Sequence, residues 1–310
     1  MTVRGFIWLW QILEFGLLLG ALNFYFPFVL SILFTCVSML FLRFIFIALV
    51  AGIVNIKFTD SRHGLGVYFK QTCDEFRAFC VLYFWHQAIP RSWLSKREVE
   101  LKSDHVILAH GFLCNEGFWF LLKSCLLMRG ISFSAVERKS AFGTIDKYTD
   151  LLSYEIKRVE SLSSNVKITI VAFSMGGLAA RNLPLELQRR VNLITVFTPH
   201  NGTMLALLSR LIFAKNGSEM SIGSPWLERL NSHPNYFRCQ KGYWSAHDTI
   251  VLPPKNSIPP FEDCMLASKG HLYAALDIEL HELILDDIEA FKLANGPSSR
   301  LQEVGIQTQS

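Results

Sequence analysis

The chain begins with an apolar run too long to be one face of a surface element. Between Gly5 and Val54 only Glu14 and Arg43 carry charge. One membrane-spanning helix needs about 20 apolar residues. The run therefore predicts two helices, about 6–24 and 28–53, hinged near Asn23 to Pro27. A cleaved signal peptide, with an apolar core of only about 7–15 residues, fits poorly. The competing reading is a buried hairpin in the core of a soluble domain. Glu14 and Arg43 are costly in lipid. Folding the run at its hinge leaves Glu14 nearer the turn by about seven residues, or roughly 10 Å of helix rise, which argues against a direct pair. Arg43 is then expected to reach for an interface and Glu14 to face the partner helix. Arg4 precedes the first helix, and Lys57, Arg62 and Lys70 follow the second. That bias favours both ends in the cytoplasm.

Residues 55–95 connect the hairpin to the rest. Phe69, Phe76, Phe79 and Tyr83 recur at helical spacing and make an aromatic stripe. Such a stripe either packs on the following domain or lies in the lipid headgroup region. Pro90 is expected to end that helix. From residue 96 the pattern alternates between short apolar runs and amphipathic segments. Strands are expected at Val106 to Ala109, Ser132 to Val136, Val166 to Val171 and Val191 to Phe197. Helices are expected at Phe118 to Met128, Ile145 to Val159 and Leu272 to Phe291. This order implies an α/β domain over 96–295, a mostly parallel sheet with helices on both faces. The polar stretch 296–310 reads as a disordered tail.

Composition adds little beyond the hairpin. The chain is 51% hydrophobic with a mean hydropathy of +0.29. Its 30 Lys and Arg nearly balance its 26 Asp and Glu, so charge gives no case for nucleic acid. Cysteines 36, 73, 80, 114, 125, 239 and 264 have no metal-type spacing. They read as buried free thiols in a reducing compartment. Nothing in the sequence sets an oligomeric state.

The chemistry concentrates around Ala172-Phe173-Ser174-Met175-Gly176-Gly177. A serine at a sharp strand-to-helix turn has its hydroxyl exposed, and small neighbours let strand and helix approach. The serine needs a base, and the base needs a carboxylate to fix its tautomer. In the order Ser, acid, His, the later sequence offers Asp248 and His271, both in loops at element ends. Asp248 precedes the strand-like pair Ile250-Val251, and His271 follows Gly270. The rivals are His200, His247 and His281 for the base and Glu262 and Asp263 for the acid. His200 breaks the chain order, His247 adjoins the proposed acid, and His281 lies inside the last helix. Glu262 and Asp263 leave little chain before His271. The oxyanion donors are expected to be the backbone N–H groups of Met175 and of Phe112, in the loop His110-Gly111-Phe112.

These stretches, with Thr198-Pro199-His200-Asn201-Gly202-Thr203, resemble the α/β-hydrolase superfamily and within it the bacterial lipase-like and esterase-like branch. The resemblance spans about residues 104–292. It implies an α/β-hydrolase fold, which here follows the transmembrane helical hairpin read from the apolar run. It also implies cofactor-free hydrolysis of carboxylic, lipid-derived esters through an acyl-enzyme. Ser174 takes the nucleophile role, Asp248 the acid and His271 the base. Ala172 stands where the first elbow glycine is usual, and Phe173 where relatives often carry histidine. The first 100 residues have no counterpart in the secreted lipases. Residues 204–245, with the apolar Leu211-Ile212-Phe213, could form a lid or an ordinary helix on the sheet. An acyltransferase with the same residues, or a non-catalytic membrane scaffold, are the alternative functions.

Overall fold

The computed structural model describes residues 1–59, 64–89, 103–163, 165–207 and 214–294. Pro90, Leu208 to Phe213 of the possible lid and the stretch from Asn295 lie outside the described residues. Helices α1 (Val3–Leu22) and α2 (Phe28–Lys57) form the hairpin. Thr2 caps α1 by accepting a hydrogen bond from Gly5 N–H at 3.1 Å, and Pro27 sets the start of α2. Both helices are long and apolar enough to cross a membrane. Large apolar side chains such as Leu17, Phe24, Val29, Phe41 and Leu49 point outward.

The expectation that Glu14 and Arg43 stay apart is overturned. Arg43 Nη1 donates to Glu14 Oε1 at 2.6 Å, Nη2 bonds Oε2, and Nη1 also reaches the Met39 carbonyl at 2.9 Å. The long guanidinium arm bridges the axial offset. The rings of Phe79 and Phe84 lie 5.5 and 5.6 Å from its centre and cover it.

Those rings belong to the connecting segment, helix α3 (Leu65–Val81) and the π-helical turn Leu82–His86. Helix α3 runs back along α2. Tyr68 OH donates to the Ala48 carbonyl at 2.6 Å, and Phe76 meets Phe44 edge-on at 5.4 Å. The stripe thus divides differently from either reading above. Phe76 and Phe79 pack on the hairpin, and Phe69 is exposed. The buried face of α3 is Gln71, Thr72, Glu75 and Ala78, continued by Leu82.

The sheet has six parallel strands in the order β2-β1-β3-β4-β5-β6. They are β1 (Asp104–Ala109), β2 (Ser132–Val136), β3 (Lys167–Phe173), β4 (Val191–Val196), β5 (Gln240–Trp244) and β6 (Asp263–Met265). Strand β3 is buried on both faces, as a central parallel strand must be. Its Ile168, Ile170 and Ala172 enter one core cluster, and Val171 and Phe173 the other. Helix α4 (Phe120–Met128) follows β1, and α5 (Ile145–Leu162) follows β2. Thr144 caps α5, whose Ile145, Tyr148, Leu152, Ile156 and Val159 are all buried. Helices α6 (Met175–Arg181) and α7 (Leu185–Gln188) follow β3, and α8 (Lys215–Glu219) and α9 (Pro225–Asn231) lie between β4 and β5. Strand β5 lies in the sheet, so that part of the 204–245 stretch is not a lid. The chain turns from β2 back across β1 to β3. The gap between β1 and β3 is therefore the switch point of the sheet, where ligands bind at the carboxyl ends of strands.

Two expected elements differ. Ile250-Val251 is loop, because both N–H groups bond the Asp248 side chain instead of a strand. The last helix is broken into a 3₁₀ turn, Leu272–Ala275, and α10 (Ile278–Ala294). The Ala274 carbonyl, which a continuous helix would bond to Ile278 N–H, lies 3.0 Å from His281 Nε2.

Candidate active site

Strand register levels the loops that meet at the switch point. Ala109 of β1 pairs with Ala172 of β3, and Phe173 pairs with Val196 of β4. Ser174 leaves the sheet there with φ 52° and ψ −124°, a conformation costly for any residue with a Cβ. Its N–H is anchored to the Val196 carbonyl at 2.8 Å, and its carbonyl accepts from Gly177 N–H at 3.0 Å. The glycines behind it are a steric necessity. A Cβ on Gly176 would stand 2.5 Å from the Ala109 carbonyl oxygen, and one on Gly177 would collide with the Thr198 hydroxyl. Gly111 is equally confined, since a Cβ there would lie 3.0 Å from the Ser174 Cβ and from the Phe173 ring. The loop after β1 thus presses directly on the serine turn.

That loop turns tightly, with Leu113 at φ 51° and Cys114 N–H donating to the Gly111 carbonyl at 3.3 Å. Among the described residues, neither the N–H of Phe112 nor that of Met175 meets an acceptor.

Asp248 and His271 come together from loops 23 positions apart. His271 Nδ1 lies 2.8 Å from Asp248 Oδ2, and both residues are buried. The other oxygen, Oδ1, accepts from Ile250 N–H at 2.7 Å and Val251 N–H at 2.8 Å. These two donors hold the carboxylate in place. The imidazole stands against two rings, Phe173 at 4.8 Å and Phe197 at 5.8 Å between centroids. Phe173 immediately precedes Ser174, so His271 adjoins the serine turn. Among the described residues the Ser174 hydroxyl makes no hydrogen bond.

The rivals are occupied elsewhere. His200 Nδ1 lies 3.1 Å from Arg181 Nη1, and Arg181 also donates to Asn231 and Asn235. Burial and the nearby Arg181 hold His200 well below the usual imidazole pKa. His281 sits on the Ala274 carbonyl, and burial lowers it to about 4. The His247 carbonyl accepts from Gln71 Nε2 at 2.8 Å. Asp263 accepts from Trp244 Nε1 at 2.6 Å, and Glu262 is exposed beside Lys241. His110 is buried and lowered to about 3, first by burial and then by Arg138, so it stays neutral. Among the described residues no group of three His, Cys, Asp or Glu is arranged to hold a metal ion.

Sequence reasoning passed over Glu75. This residue of α3 is only 2% exposed, and its carboxylate lies under the loops that carry Asp248 and His271. A charged residue inside an aromatic-rich helix, one turn after Gln71, was the signal that could have marked it.

No family model matches the chain, and no relative is found among curated proteins. Solved structures do resemble it. The Bacillus licheniformis lipase BlEst2 aligns with a TM-score of 0.52 at 14% identity, covering 59% of this chain and 91% of that one. The Paleococcus ferrophilus monoacylglycerol lipase aligns at TM-score 0.47 and 12% identity, covering 60% and 94%. A thermophilic esterase from Thermogutta terrifontis aligns at 0.43 and 16%, covering 60% and 90%. With the first of these and the sheet order above, the chain has the α/β-hydrolase fold, preceded by two apolar helices.

Proposed function

We propose that this chain is a membrane-anchored serine hydrolase that cleaves carboxylic esters of lipids through an acyl-enzyme. The observation that carries the reading is the Asp248–His271 hydrogen bond beside a serine held at positive φ. His271 takes the Ser174 proton as the hydroxyl oxygen attacks the ester carbonyl. Asp248 fixes the tautomer and stabilises the imidazolium that forms. The N–H groups of Phe112 and Met175 hold the oxyanion, and one such donor is worth roughly 3–4 kcal/mol of barrier. The tetrahedral intermediate collapses as His271 returns the proton to the leaving alkoxide. Water, deprotonated by His271, then attacks the acyl-enzyme and frees the acid and Ser174.

The hairpin supports a lipid substrate, because an ester dissolved in the bilayer is concentrated where the enzyme sits. The seven cysteines are free thiols, and Arg4 and Lys57 flank the hairpin. Both features support a cytoplasmic catalytic domain on a bacterial inner membrane.

The test uses the full chain in detergent. A fluorophosphonate probe is expected to label Ser174, and p-nitrophenyl esters of increasing chain length to be hydrolysed. Labelling or turnover that survives Ser174→Ala would remove the nucleophile and the reading with it.

A further inference from the structure

Three hydrogen bonds converge on the Glu75 carboxylate. Oε1 accepts from Thr249 Oγ1 at 2.8 Å and from Leu272 N–H at 2.8 Å, and Oε2 accepts from Tyr273 N–H at 3.0 Å. Thr249 adjoins Asp248, and Leu272 adjoins His271. One side chain from the N-terminal segment therefore ties together the two loops whose terminal groups form the acid–base pair. Gln71, one helical turn earlier, adds a bond to the His247 carbonyl at 2.8 Å. Gly270 leaves the room this needs, because a Cβ there would collide with Glu75 Oε2.

The arrangement is not that of a packing residue. A buried carboxylate is expensive, and no cation pairs with this one among the described residues. Burial raises its pKa, while the bonds from Leu272, Thr249 and Tyr273 work in the opposite direction. Two of its donors are main-chain N–H groups, which cannot become acceptors. An amide at this position would set its NH₂ against one of them. A leucine or methionine would fill the same space without the desolvation cost. What the carboxylate adds is two loops held at a fixed separation. The helix that supplies it is itself fastened to the hairpin, through Tyr68 on Ala48 and Phe76 on Phe44.

We propose that Glu75 is a positioning residue of the Asp248–His271 pair, so that turnover depends on the docking of α3. This rests on the reading of Ser174, Asp248 and His271 as the catalytic set. Near-attack geometry is steep, with a misplacement of about 1 Å costing about 100-fold in rate. Losing the clamp should therefore lower kcat and leave KM almost alone, since Glu75 is placed behind the pair and does not line the substrate side.

The experiment compares full-length wild type, Glu75→Gln, Thr249→Val and Thr249→Ser in detergent. It reads kcat and KM on a short-chain p-nitrophenyl ester, the rate of fluorophosphonate labelling and the thermal midpoint. Glu75→Gln is expected to lower kcat and the labelling rate together, by about 10–100-fold, with KM within about twofold. Should Glu75→Gln fail to fold, Thr249→Val removes one bond of the three. It is expected to cost about 5-fold in kcat, and Thr249→Ser to restore it. Wild-type labelling at Ser174 with variants labelled equally fast overturns this inference and spares the catalytic set. So does a loss carried by KM alone, or one that Thr249→Ser does not rescue. Wild type that is not labelled at Ser174 overturns the catalytic set instead.

Discussion

The two halves of the proposed site are held by different physics. The serine half is built by contact between near neighbours in the sheet. Gly111, Gly176 and Gly177 let β1, β3 and α6 close to van der Waals distance, and the strained Ser174 is trapped among them. The half proposed as the acid–base pair has no such enclosure. Asp248 and His271 sit in loops, and polar groups from α3, far away in sequence, fix where those loops lie. A steric trap tolerates little change and fails by unfolding. A polar clamp fails by degrees, losing alignment before it loses structure.

Four substitutions would break or sharpen that contrast. Ser174→Ala is expected to have the largest effect, a fall in kcat of about 10⁴-fold or more on p-nitrophenyl esters, with the thermal midpoint retained. Asp248→Asn should follow at about 10³–10⁴-fold, because the amide favours the wrong imidazole tautomer. Its circular dichroism should match wild type; a collapse of secondary structure would show that the residue is structural first. Gly177→Ala acts on the other half and should surface as lost stability, about 1–3 kcal/mol in denaturant titration, as the elbow is forced apart. An unchanged midpoint there would mean that the serine turn is not sterically trapped. Gln71→Ala is the mildest, removing one neutral hydrogen bond worth about 1 kcal/mol. A few-fold drop in kcat is expected, with a stability loss of about that size, and no kinetic effect would confine the clamp to Glu75.

The same contrast separates what the sequence discloses from what it hides. The elbow is legible because strand, serine and glycines are contiguous, and each local feature has a steric reason. The amphipathic spacing of α5 is legible for the same kind of reason. Strands β5 and β6 are not, since Gln240–Trp244 is short and mixed and Asp263–Met265 is a three-residue edge. The break before α10 depends on His281 meeting the Ala274 carbonyl, a tertiary event with no local signature. The Glu14–Arg43 pair was misjudged because axial offset alone neglects how far two long side chains reach. Glu75 stayed hidden because its partners lie 174 to 198 positions downstream.

That separation has a consequence for how the protein is made. Glu75 emerges from the ribosome 197 positions ahead of Leu272. At about 5–20 residues per second the delay is roughly 10–40 s. During that interval the hairpin can already enter a bilayer, while the carboxylate has none of its three donors. The loop that carries His271 arrives long after α3, and it closes onto a helix already packed on the hairpin. A nascent chain whose hairpin had not yet folded would present its late-born histidine to an unfixed foundation.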